Sequence, residues 1–330
     1  MLVTLPSTFD ESTIAELMVQ LDACREVDDV TIDFGRLRYS KPIAMLVAGS
    51  KLREWRQYRV QRGYRSWQKG ITAAISAHSY LMHLGFFNFV HIDEGNQVGQ
   101  ALGSKKYLPI TRIERPVVDP ILDGVQEWYD TIELEARRLG GVLAGSHDDS
   151  EELRTYTYCI REVIRNVFEH ARVNECYICG QRWANGTVEI AIIDEGAGLY
   201  ATLADTHQVD GDEAALTLAA RPGVSRVAAQ SLAPNVYDNS GFGLFILTQL
   251  AGSFGWFVLG SGSAMMIGHG QARSYVPCSF AGTYFGMRLN SPPKDFGSVL
   301  AEIIAAGEDE ARTSGISRRA SGRTRLVGVS

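Results

Sequence analysis

From Ile160 to Phe168 apolar residues recur at helical spacing. Ile160, Val163, Ile164, Val167 and Phe168 form one stripe, while Glu162 and Asn166, four positions apart, share another face. The run Val188–Ile193 alternates and is rich in β-branched residues, which predicts a strand ended by Asp194. Gly282–Leu289 predicts a final strand on the same grounds. Asp212–Ala220 reads as a short helix and Leu244–Leu250 as an apolar one. Nearer the N-terminus, strands at 2–6, 29–34 and 107–110 alternate with helices at 12–23, 41–58 and 70–84, which implies an α/β layer. An amphipathic helix is expected from Asp119 to Gly140, then a Gly/Asp/Ser-rich loop to Ser150. From Gly307 onward the Ser/Gly/Arg-rich composition predicts disorder.

Three polar clusters interrupt this pattern. Glu162 and Asn166 read alone are two solvated residues on an amphipathic helix, but together they can do chemistry. Mg²⁺ takes hard oxygen ligands and few protein groups beside substrate phosphates, a demand that the Asn166 amide oxygen meets. A carboxylate one turn earlier can polarise a water or hydroxyl for attack on a terminal phosphate. Asp194-Glu195-Gly196-Ala197-Gly198 closes the predicted strand with two glycines that permit positive φ and close backbone approach. Asn239-Ser240-Gly241-Phe242-Gly243-Leu244 opens a helix with small residues, which leaves N–H groups free for phosphate. In isolation the last two are a turn and an N-cap. Gly241-x-Gly243 lacks the third glycine and preceding strand of a dinucleotide fingerprint, and no Walker A sequence occurs.

The order and spacing of the three clusters resemble the GHKL ATPase superfamily, which includes gyrase, a heat-shock chaperone, histidine kinases and mismatch-repair ATPases. The resemblance covers roughly residues 120–290 and implies a Bergerat fold, an α/β two-layer sandwich that binds ATP with Mg²⁺. It assigns Glu162 the role of general base, as in gyrase-like ATPases and the anti-sigma-factor serine kinases, and Asn166 the metal. It gives Asp194 the adenine exocyclic amine, Gly196 and Gly198 the space beside the base, and Gly241, Gly243 and Leu244 the phosphate end. Thr283 would reach the adenine, and residues 199–240 would form a lid, with Arg221 or Arg226 near the phosphates.

Residues 30–49, VTIDFGRLRYSKPIAMLVAG, look like the strand–turn–helix core of a STAS domain. Anti-sigma antagonists present a phosphorylatable Ser at the start of that helix. Pro42 and Ile43 fall there instead, with Ser40 out of register. The resemblance therefore implies docking or regulation. The expected organisation is a STAS-like domain at 1–115, a GHKL domain at 116–292, and a C-terminal helix and basic tail at 293–330.

Composition narrows the function classes. Thirty-two Lys and Arg against 38 Asp and Glu leave a net charge of −6, which argues against broad nucleic-acid binding outside the basic tail. No apolar run is long enough to span a membrane and no signal peptide is read, so a cytoplasmic location is expected. Five scattered cysteines fit reduced thiols, and Cys176 and Cys179 on one strand would face opposite sides. His78 and His83 read as packing or surface residues outside any phosphoacceptor box. Expected partners are a regulatory protein and, as an option, a second copy of the chain. Three functions stay open: ATP hydrolysis or transfer to a Ser/Thr of a partner, an ATP-gated interaction switch without turnover, and a histidine kinase-type signalling protein.

Overall fold

The computed structural model describes residues 1–117, 125–225 and 240–325. In chain order the elements are β1 (Leu2–Thr4), β2 (Thr8–Phe9), α1 (Ile14–Ala23), β3 (Asp29–Asp33), β4 (Tyr39–Ser40), α2 (Pro42–Gln61), β5 (Arg65–Lys69), α3 (Ser76–His83), α4 (Phe86–Phe89), β6 (Tyr107–Glu114), α5 (Val125–Ala144), α6 (Glu151–His170), β7 (Glu175–Arg182), β8 (Val188–Asp194), α7 (Gly198–Leu203), α8 (Asp212–Ala219), α9 (Gly243–Phe254), β9 (Gly255–His269), β10 (Ala272–Leu289) and α10 (Phe296–Thr313). The fold is mixed α/β, as expected. β1, β3 and β5 make a parallel sheet with β3 in the middle. A five-stranded sheet has the order β6-β7-β8-β10-β9, each neighbour antiparallel.

β8 explains how the layers assemble. All seven of its residues are buried. Val188, Ile190 and Ile192 join a core with α5, α6, α9 and α10, while Ala191 and Ile193 join a second core with residues of α1, α2 and α4. Cys176 and Cys179 on β7 divide between the same two cores. The far face of the larger sheet is thus covered by the N-terminal part of the chain. β6, placed by the sequence reading in residues 1–115, hydrogen-bonds in the sheet of the following unit.

Helix α2 is the wedge between the two sheets. Pro42–Leu52 is buried throughout, as its apolar run Pro42–Gly49 requires. Gly286 on β10 makes room for its first turn: a Cβ there would lie 2.6 Å from the Ile43 side chain. Lys41 supplies no side-chain cap to the helix. The Ile43 N–H instead donates to Glu189 Oε1 on β8 at 3.1 Å, placing a carboxylate at the positive end of the helix. The position that a STAS-like helix would present to a kinase is buried against the neighbouring sheet, with Ser40 6% exposed.

Several expectations change. The helix expected at 70–84 begins only at Ser76, and the preceding Arg65–Lys69 is a strand. All its side chains but Trp67 are polar and most are exposed, so this edge strand shows no alternation in the sequence. Of the loop expected from Gly140 to Ser150, residues 145–150 are non-helical as expected, while 140–144 form the last turn of α5. Helices α5 and α6 cross so closely that a Cβ on Gly140 would lie 2.9 Å from Thr157 Oγ1. Gly307 is likewise a packing position within α10, where a Cβ would fall 2.5 Å from the Phe245 ring. The disorder expected beyond it does not hold for the described residues, since Ala320, Ser321 and Thr324 are buried. His78 is buried and packs, its Nδ1 accepting from the Thr72 N–H. The expected helix start at Asp119, the N-cap candidate Asn239 and Arg226 lie outside the described residues.

Because β8 contributes to both cores and α2 packs on its far face, chemical denaturation should give one cooperative transition for the two units. Gly286→Val should destabilise that transition by about 1–3 kcal/mol through overpacking against Ile43. Two separable transitions, or a neutral Gly286→Val, in urea unfolding followed by circular dichroism would contradict the shared core.

Candidate functional site

A cleft of about 1040 Å³, solvent at its mouth included, opens between α6, the end of β8, α7, the start of α9 and β10. Glu162, Asn166, Asp194, Gly198, Gly241, Gly243, Leu244 and Thr283 all line it. Four sequence segments separated by up to 121 positions therefore contribute to one cavity. Gly196 is the exception. It stands behind the wall, where a Cβ would come within 2.2 Å of the Ala171 carbonyl oxygen. Its contribution is indirect: its N–H donates to Asp194 Oδ1 at 2.9 Å.

Asp194 forms the deep end. β8 and β10 pair with Asp194 opposite Thr283, and the Thr283 N–H donates to Asp194 Oδ1 at 3.3 Å. Both bonds use Oδ1, which leaves Oδ2 for a donor in the cavity. The side chain is 3% exposed. Burial pushes its pKa up to about 7, although the N–H groups of Gly196 and Thr283 pull it down. Gly198 adopts φ +77°, and a Cβ there would sit 2.9 Å from Ser261 Oγ. Ser261 is buried and ties the site together: its hydroxyl donates to the Gly282 carbonyl at 2.8 Å and accepts from the Leu199 N–H at 2.9 Å. Apolar walls come from Val163, Ile192, Leu199, Leu259 and Phe285.

Glu162 marks the other end. Its carboxylate is buried within a chain of charges along α6. Oε1 lies 3.2 Å from both the Arg161 and the Arg165 guanidinium. Arg161 continues to Glu133 at 3.1 Å, and Arg165 to Glu169 at 3.1 Å. Burial opposes the charge of both arginines, but Glu162 and the outer carboxylates outweigh it and hold their pKa values up. Such buried pairs are costly to break singly, so Glu162 is held in one orientation. The remaining oxygen, Oε2, faces the first turn of α9, where a Cβ on Gly243 would lie only 2.7 Å away. Glycine at that position lets the helix N-terminus approach Glu162 and Asn166 directly.

The sequence reading missed Arg161 and Arg165, although both flank Glu162 in the same helix. Their role depends on which face of α6 is buried. It also missed Ser261, which carries no motif, and the C-terminal Thr324, which lines the cleft from 158 residues beyond Asn166. Arg221 is exposed and bonds Ser314 Oγ rather than the cleft. Next to Asp194, Glu195 turns outward to the N-terminal unit. Ser50 Oγ donates to its Oε1 at 2.6 Å, and Arg53 of α2 pairs with its Oε2. Comparison with protein families, curated proteins and solved structures returned no match.

The raised pKa of Asp194 has a definite sign for stability. Between its ordinary value of 3.8 and about 7, the folded state holds a proton that the unfolded state has lost, so this group's contribution falls as pH rises through that window. The stability of the wild type minus that of Asp194→Asn should therefore decline from pH 4.5 to about pH 7.5 and then level off. Urea unfolding across that range checks it; a difference that grows with pH would overturn the burial argument.

Proposed function

We propose that the cleft binds ATP with Mg²⁺ and that the protein transfers the terminal phosphate. The observation that carries this reading is the convergence of Glu162, Asn166, Asp194, Gly198, Gly241, Gly243, Leu244 and Thr283 on one cavity. Their order along the chain resembles the GHKL ATPases, with Gly196 acting from behind the wall.

The residues suit such a ligand. A buried carboxylate between apolar walls is an acceptor for a flat base bearing an amine, and Asp194 offers Oδ2 for it. α9 is 12 residues long and starts at the cleft with glycine, so its free N–H groups and positive end favour phosphate. The Asn166 amide oxygen and phosphate oxygens would hold Mg²⁺, which supplies charge neutralisation to the phosphates when bound. Glu162, fixed through Oε1, would accept the proton of the attacking oxygen at Oε2. Arg165 lines the same cleft and keeps a positive charge beside Glu162.

The second reading, an ATP-gated interaction switch, is favoured by two contacts of one residue. Arg53 and Ser50 on α2 hold Glu195, the neighbour of Asp194. A change at the base-binding loop can thus be felt by the STAS-like unit, which suits regulation through a partner protein. Among the described residues no helix is long and apolar enough to cross a membrane. A cytoplasmic regulatory protein is the corresponding proposal.

Calorimetry on the full chain should detect Mg-ATP, with Asp194→Asn and Asn166→Ala each losing most of the affinity. Glu162→Gln should keep binding while single-turnover phosphate release or transfer falls about 10²–10⁴-fold, the usual weight of a general base. Undiminished affinity in both pocket variants would sink the site; undiminished turnover in Glu162→Gln would remove Glu162 from the chemistry and leave the switch.

A further inference from the structure

The C-terminal segment after α10 returns to the cleft, and its placement there has a chemical consequence. Thr324 is 2% exposed yet lines the cavity together with Glu162, Ser240, Gly241 and Gly243. Its N–H donates to Ser321 Oγ at 3.1 Å, and three further bonds hold it. The Tyr158 hydroxyl donates to its carbonyl at 3.2 Å, its Oγ1 shares a hydrogen bond with Ser240 Oγ at 3.3 Å, and a second with Ser321 Oγ at 3.0 Å. Ser240 immediately precedes the Gly241-Phe242-Gly243 turn that opens α9. Arg161, which contacts Glu162 Oε1, also donates to the carbonyl of Arg323 at 3.4 Å. One guanidinium therefore spans the candidate base and the backbone next to Thr324.

We propose that Thr324 is the acceptor of the terminal phosphate in cis, so that the chain modifies its own C-terminal segment. This rests on the ATP reading of the cleft. The hydroxyl oxygen of Thr324 attacks the γ-phosphorus of the bound nucleoside triphosphate. The bond from that phosphorus to the β–γ bridging oxygen breaks, ADP leaves, and the hydroxyl proton passes to Glu162. No oxidant or other reactant is needed. The tethered hydroxyl reaches the cleft without a diffusive encounter, which favours it over a free acceptor. A phosphate on Thr324 brings about −1.5 to −2 charges into a position with 2% exposure and two neutral hydroxyl partners. The modified segment should therefore leave its seat and open the cleft, which makes the transfer self-terminating for each chain.

The test incubates the full chain with Mg²⁺ and ATP, reads intact mass and phosphopeptides, and measures ATP affinity on the same preparation. The expected result is one added phosphate on Thr324, at a specific rate independent of protein concentration. Thr324→Val, which keeps the branched shape, should bind ATP yet incorporate no phosphate, and Glu162→Gln should bind ATP and incorporate at least about 100-fold more slowly. ATP binding without phosphate on Thr324 overturns the acceptor assignment and leaves the site standing. Phosphate on Ser321 or elsewhere, persisting in Thr324→Val, overturns it as well, and a specific rate that rises with protein concentration overturns transfer in cis. Absence of ATP binding by the wild type overturns both readings together.

Discussion

The burial of α2 between two sheets is the constraint on which the rest of the structure depends. Pro42–Leu52 is buried throughout, which commits the first part of the chain to cover the face of the Asp194-bearing sheet that lies opposite the cleft. The fit is tight on both flanks, with Ile43 over Gly286 and Gly49 against the rings of Phe86 and Phe89. The polar contacts follow from that seat. Glu189, 0% exposed, caps the helix, and its pKa is pushed up to about 7 by burial although the Ile43 N–H and Arg288 draw it down. Lys51 of the same helix is 4% exposed and bonds Asp22 and Ser279.

This arrangement gives the two ends of the cleft different characters. The Asp194 end is neutral in its walls, with one buried carboxyl group and backbone donors. The Glu162 end is built of alternating charges that neutralise one another along α6 and lead to Glu133 and the C-terminal segment. A ligand with an apolar, amine-bearing head and an anionic tail matches both ends in one orientation, which is the physical basis for proposing ATP. The Glu195 contacts to Arg53 and Ser50 then connect the Asp194 end to α2, and Thr324 connects the Glu162 end to the segment after α10. Each end of the cleft is held by an element distant from it in sequence.

Legibility in the sequence followed the range of the interactions involved. Glu162 and Asn166 share a face through helical periodicity alone, and β8 declares itself by β-branched alternation before Asp194. Those features are local and could be read directly. Gly140 and Gly307 looked like loop signals because glycine weakens a helix by itself; the close crossings at Thr157 and Phe245 that require glycine there involve residues far away. β5 carries no alternation because its side chains are largely exposed, and the sheet it completes is recognised only through its pairing with β3. The Arg/Ser-rich tail matched the composition of disordered segments, yet Ala320 and Thr324 find burial against α6 and α10 that composition does not encode.

The central claim is that Asp194 reads an amine on a purine held in the cleft. Its most direct test is a parallel calorimetric titration of the full chain with Mg-ATP and with Mg-inosine triphosphate, which replaces the exocyclic amine by an oxygen and changes nothing in the phosphates. Above pH 7, where Asp194 has released its proton, a lost hydrogen bond to this charged, buried acceptor is worth about 1.5–3 kcal/mol, so at pH 8 inosine triphosphate should bind roughly 10- to 100-fold more weakly than ATP. Equal affinity for the two nucleotides would contradict the account.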